Sequence, residues 1–190
     1  MFMGEERLAG MGSFLCAELL DFAAAERRHG GAVGIVFCEP GECQGLGHLP
    51  QLARAAAPEP EAAAELLRRF GAALFVTLLR RYPSFFVGIA STSELLAAFE
   101  RQLAAEINKL APHVVLPAVT VEPCGAGSTR FTCRFPGGRD DVAPLVAGLV
   151  LGSARHFGER FEVEWRQGAE PGLASFVVAP RARAAAAPGG

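Results

Sequence analysis

The apolar spacing changes at Pro117, and that change constrains the fold more than any other feature of the chain. Before it, apolar residues recur every three or four positions, as they must on one face of a helix. Leu15, Leu19, Phe22 and Ala25 mark a helix over Ser13–Arg28, closed by His29-Gly30-Gly31. Leu49–Ala56 and Glu61–Arg81 are helical by composition and are separated by Pro58-Glu59-Pro60. Ser91 and Glu94 have the spacing of a capping box and open a further helix to Leu110, with Leu96, Phe99, Leu103, Ile107 and Leu110 on one stripe. Ala32–Cys38 is short and apolar, and its periodicity is compatible with a helical turn or a strand.

After Pro117 the period is two. Val119–Cys124 and Ser128–Phe135 form a hairpin across Gly125-Ala126-Gly127, with Phe131, Cys133 and Phe135 on one face and Arg130, Thr132 and Arg134 on the other. A helix over Val142–Phe157 follows, ended by Gly158, and then strands at Arg160–Gln167 and Ser175–Pro180. Helices followed by hairpin, helix and hairpin imply an α+β domain with an antiparallel sheet. The expected organisation is a flexible lead over 1–10, a single domain over 11–181 and a disordered tail from Ala182. Within the domain, a helical part runs to about residue 90 and a mixed part follows.

Composition removes several function classes. A net charge of −2 leaves no general footprint for nucleic acid or for a membrane surface. The apolar stretches, such as Val142–Ala154, are interrupted by Pro, Gly and Ser and are too short to span a bilayer. Met1–Gly10 lacks the apolar run of a signal peptide, so a cytoplasmic location is expected. The five cysteines, an odd number, read as thiols rather than a disulfide framework. The hairpin places Cys133 opposite Val119, several positions from Cys124, which argues against a bond between Cys124 and Cys133.

Three stretches, beginning at Met11, Leu66 and Val142, resemble the H-NOX family of haem-binding domains that sense nitric oxide or oxygen. MGSFLCAELLDFAAAERRHG resembles its first helix, and LLRRFGAALFVTLLRRYPSFFVG its central helix and aromatic turn. VAPLVAGLVLGSARHFGERFEVEW resembles its penultimate helix and the strand that follows. The resemblance implies a helical N-terminal subdomain plus a four-stranded antiparallel sheet with one long helix. It also implies a bacterial-type sensor that signals to a separate histidine kinase, cyclase or other protein by moving one subdomain against the other.

The resemblance also locates a site, and this chain departs from it. The family's ligand histidine lies thirteen residues before a proline matched by Pro117, a position held here by Ala104. Alanine has no atom that can coordinate iron. The nearest histidine is His113, in the next loop. The family's propionate-binding Tyr-x-Ser-x-Arg is matched by Phe135-Pro136-Gly137-Gly138-Arg139, where only the arginine survives. The region of the distal tyrosine found in oxygen-binding members is Ala143-Pro144. No cofactor is therefore expected. What replaces haem is open at this stage: a filled core, an apolar pocket, or haem on an unexpected ligand such as Cys16 or His113. The pocket would be lined by Phe14, Leu15, Phe99, Leu103, Ala104 and Pro117, with Phe135, Gly137, Ala143 and Ala147 beyond them. Arg139 at its mouth would suit an amphipathic ligand such as a fatty acid.

The remaining motifs carry less. Cys38, Cys43 and His48 share one loop but lack the spacing of a zinc knuckle, and Glu39 and Glu42 disfavour a reactive thiolate. Arg68-Arg69 suits a solvated helix face, and Arg80-Arg81 complements a helix C-terminus. His156 reads as a packing or capping residue. No nucleophile–base pattern or phosphate-binding glycine motif stands out, so the chain is not expected to be an enzyme.

Overall fold

The computed structural model describes residues 11–29, 48–103, 105, 116–125 and 127–180. The elements bounded within the described residues are, in order, α1 (Met11–Arg28), α2 (Leu49–Ala56), α3 (Pro60–Arg81), α4 (Thr92–Ala98), β1 (Ala118–Pro123), β2 (Thr129–Arg134), α5 (Ala143–His156), β3 (Phe161–Gln167) and β4 (Leu173–Pro180). Proline stands in the first turn of α2, α3 and α5, where its missing N–H costs no helical hydrogen bond. The Ser91 side chain accepts from the Glu94 N–H at 3.1 Å, and the Glu94 carboxylate accepts from the Ala90 N–H at 2.7 Å. The second bond of the capping box thus reaches one residue further back than the ideal motif.

Within the helix expected from Ser91 to Leu110, the described residues contain a π-helical turn, and Ala105 beyond it is again α-helical. The regular turns of α4 end at Ala98, and Phe99–Leu103 continues as the π-helical turn. From that turn Glu100 accepts a hydrogen bond from the Val121 N–H at 3.3 Å, covering part of the β1 edge. Ile107 and Leu110 lie outside the described residues.

The sheet is antiparallel throughout, in the order β1-β2-β4-β3. Val119 stands opposite Cys133, as the hairpin spacing requires. Phe131, Cys133 and Phe135 join Ala174, Phe176 and Val178 on the buried face. The Phe131 and Phe176 rings stack at 4.5 Å, each burial contributing about 1.5–3 kcal/mol.

The helix α5 serves two cores. Val142, just before it, and its residues Ala143, Ala147 and Val150 pack in the sheet cluster. Leu145 packs in a helical cluster with Leu15, Leu19, Leu66 and Phe70. Between the clusters, α3 and α5 touch backbone to backbone. A Cβ on Gly71 would stand 2.3 Å from the Leu145 carbonyl oxygen, and one on Gly152 would stand 2.7 Å from that of Ala72. Only glycine permits that approach.

Three arginines of the basic pairs noted in the sequence, Arg68, Arg69 and Arg81, have partners. Arg68 makes two 2.7 Å bonds to Glu65. Arg69 pairs with Glu26 and so ties α3 to α1. Arg81 lies 4.5 Å from the centre of the Phe14 ring, a cation–π contact between the same two helices.

Candidate functional site

The segment matched to the carboxylate-binding motif leaves β2 at Arg134 and enters α5 at Ala143. The Phe135 N–H donates to the Gly172 carbonyl at 2.7 Å. A Cβ on Gly172 would stand 2.7 Å from Gly138 Cα, so glycine lets the β3–β4 turn close onto this segment. Gly172 also has φ +77°, a left-handed conformation that side chains resist. The segment is therefore held against the β3–β4 turn at Gly172.

Its side chains are disposed as follows. Phe135 is 5 % exposed and belongs to the sheet core. Gly137 is exposed at φ +66°. The Arg139 guanidinium faces the Asp141 carboxylate, with Nε 3.3 Å from Oδ1 and Nη2 3.5 Å from Oδ2. Arg54 of α2 reaches the same Oδ2 at 3.3 Å. The side chains of Arg139 and Asp141 are 39 % and 30 % exposed. The arginine expected to meet a ligand carboxylate meets a carboxylate of its own chain. Sequence reasoning missed Asp141 and Arg54. The acidic pair directly after Arg139 was the available signal for the first; nothing local pointed to Arg54, 87 residues before Asp141.

The other pocket candidates are placed as follows. Leu15 lies in the helical cluster, and Phe14 is half-buried beneath Arg81. Ala143 and Ala147 are 0 % and 1 % exposed in the sheet cluster. Phe99 opens the π turn that Leu103 closes, and Pro117 is half-buried just before β1. Ala104, Cys38, Cys43 and His113 lie outside the described residues. His48 is the N-cap of α2. Among the described residues no group of three or more His, Cys, Asp or Glu is placed to hold a metal. Burial raises the Cys133 thiol to about 12 and raises Cys16 as well, which keeps both protonated at neutral pH. No described helix is long and apolar enough to cross a membrane.

Helices packed through α5 onto a β1-β2-β4-β3 sheet define the H-NOX fold, and the chain folds as an H-NOX-like domain. The structure is similar to the Fe(II) unliganded H-NOX protein of K. algicida, with a TM-score of 0.70 and 18 % identity over 92 % of this chain and 98 % of that one. It is also similar to an S. oneidensis H-NOX protein in the Fe(II)NO state, with a TM-score of 0.63 and 17 % identity over 95 % and 96 %. The IWP-051-bound H-NOX from Shewanella woodyi, in the Fe(II)CO state, matches at a TM-score of 0.63 and 23 % identity over 93 % and 97 %. No protein-family model and no curated protein matches the chain.

Proposed function

We propose that this chain is a cytoplasmic regulatory domain of the H-NOX fold that works without histidine-ligated haem. It takes an apolar or amphipathic small molecule, such as a fatty acid, and reports to a separate signalling protein without catalysing a reaction itself. The carrying observation is the use of Arg139. In the motif it matches, this guanidinium holds a haem carboxylate; here it is paired with Asp141, which also engages Arg54. Phe135 and Gly137 offer no oxygen in place of the missing hydroxyls. With Ala104 at the ligand position, the donor set does not fit a histidine-ligated haem.

A second reading, a protein-interaction module with a closed interior, is favoured by the sealed positions of Phe135, Ala143 and Ala147.

The test is an absorption spectrum of protein from haem-supplemented cells, a haemin titration, and Ala104→His as control. No Soret band in the native chain, with a co-purifying lipid seen by mass spectrometry, is the expected result. A Soret band in the native chain overturns the haem-free reading. Absence of haem and lipid, with a melting temperature insensitive to added fatty acid, selects the closed module.

A further inference from the structure

Away from Arg139, a half-open groove of about 660 Å3 runs between α1, α3 and α5. Its volume lies within the range of small-molecule sites. The middle of the groove is apolar: Phe22 stands on the α1 side, Ala72, Ala73 and Val76 on α3, and Leu151 on α5. Val76 is 39 % exposed, an unusual level for a large apolar residue in this protein.

The two ends differ in charge balance. At one end Arg68 and Arg69 are compensated by Glu65 and Glu26, and the Glu26–Arg69 pair holds α1 against α3. At the other end stand Arg155 and His156, in the last turn of α5. The Arg155 guanidinium has no ion pair among the described residues. The His156 ring packs 5.9 Å from Phe75, which orients it beside the groove. The C-terminal turn of a helix favours cations, so an uncompensated arginine is stable there.

An apolar channel with an uncompensated cation at one end is complementary to a molecule with an apolar chain and a single anionic head. We infer that this groove binds a medium-chain fatty acid, its alkyl chain along Ala72, Ala73 and Val76 and its carboxylate on the Arg155 guanidinium. The inference rests on the reading of the chain as a receptor for an amphipathic small molecule, and it moves the carboxylate contact from Arg139 to Arg155. Guanidinium suits this role because it presents a planar fork of donors to a carboxylate.

Calorimetric titration with sodium decanoate, and with decan-1-ol as the uncharged analogue, tests the assignment on the full chain. Arg155→Ala should weaken decanoate about fivefold or more, the loss of a charge-assisted contact at a half-open site, and leave decan-1-ol unchanged. Val76→Glu alters an exposed position, so folding survives, and it should abolish binding of both. Equal decanoate affinity in the native chain and both variants overturns the inference. So does a loss confined to Arg139→Ala, which would place the ligand at Arg139 and leave the small-molecule reading intact. No decanoate binding by the native chain also overturns the groove, while the small-molecule reading falls only if no lipid co-purifies.

Discussion

Gly148 lies against the backbone of Arg68 so closely that a Cβ on it would stand 2.0 Å from the Arg68 carbonyl oxygen. The contact is backbone on backbone, so no flexible side chain can move aside. Gly148→Ala should destabilise the fold by about 3 kcal/mol, at or beyond the upper end of ordinary overpacking. Chemical denaturation measures this directly. A loss below about 0.5 kcal/mol would mean that α3 and α5 are not in this contact.

Thr92 and Ser153 are fully buried polar residues, with hydroxyl oxygens 3.2 Å apart. They link the start of α4 to α5, and the Thr92 N–H donates to Glu159 at 3.0 Å. Thr92→Val should cost about 1 kcal/mol through the lost hydroxyl contact. A double-mutant cycle with Ser153→Ala should give a coupling of about 0.5–1.5 kcal/mol. Strict additivity would show that the hydroxyls do not interact.

Burial holds the Cys133 thiol protonated, up to about 12. Above the ordinary thiol range near 9 the unfolded chain ionises while the folded chain does not, so the unfolded state binds fewer protons. The Cys133 contribution is therefore complete below that range and declines as pH rises towards 12, by about 1.4 kcal/mol per pH unit. Stability curves for the native chain and Cys133→Ala should converge over this interval. Parallel curves would contradict the burial of the thiol. In thiol-reagent kinetics at neutral pH, exposed Cys124 should react well before Cys133 or Cys16.

The Arg54–Asp141–Arg139 contacts are partly exposed, and such pairs contribute little. Asp141→Asn should change unfolding stability by less than about 1 kcal/mol, with the effect shrinking in high salt. A larger, salt-independent loss would assign Asp141 a buried structural role.

Much of the architecture was legible in local pattern. The period-two stretches marked all four strands, and the spacing across Gly125–Gly127 placed Val119 opposite Cys133, because strand register follows from turn length. The start of α4 at Thr92 follows from the Ser91 cap, whereas α3 begins at Pro60, one residue before the Glu61 expected from composition. The π-helical turn after Ala98 was not legible: the apolar stripe runs through it unchanged, while Glu100 reaches β1. Nothing in the stripe encodes a partner twenty-one residues away. The close approach of α3 and α5 at Gly148 and Gly152 was not legible, because what a small residue does there depends on which helix packs against it.

The sequence by itself determined the α+β class and the sheet's buried face. Each of these depends on what a residue is or on its near neighbours. Tertiary structure alone decided that Arg139 meets Asp141 and Arg54, that α5 joins two cores, and that Arg155 stands beside an apolar groove. Those are contacts across long stretches of chain, set by how helices and sheet pack, and no local pattern of residue types specifies them.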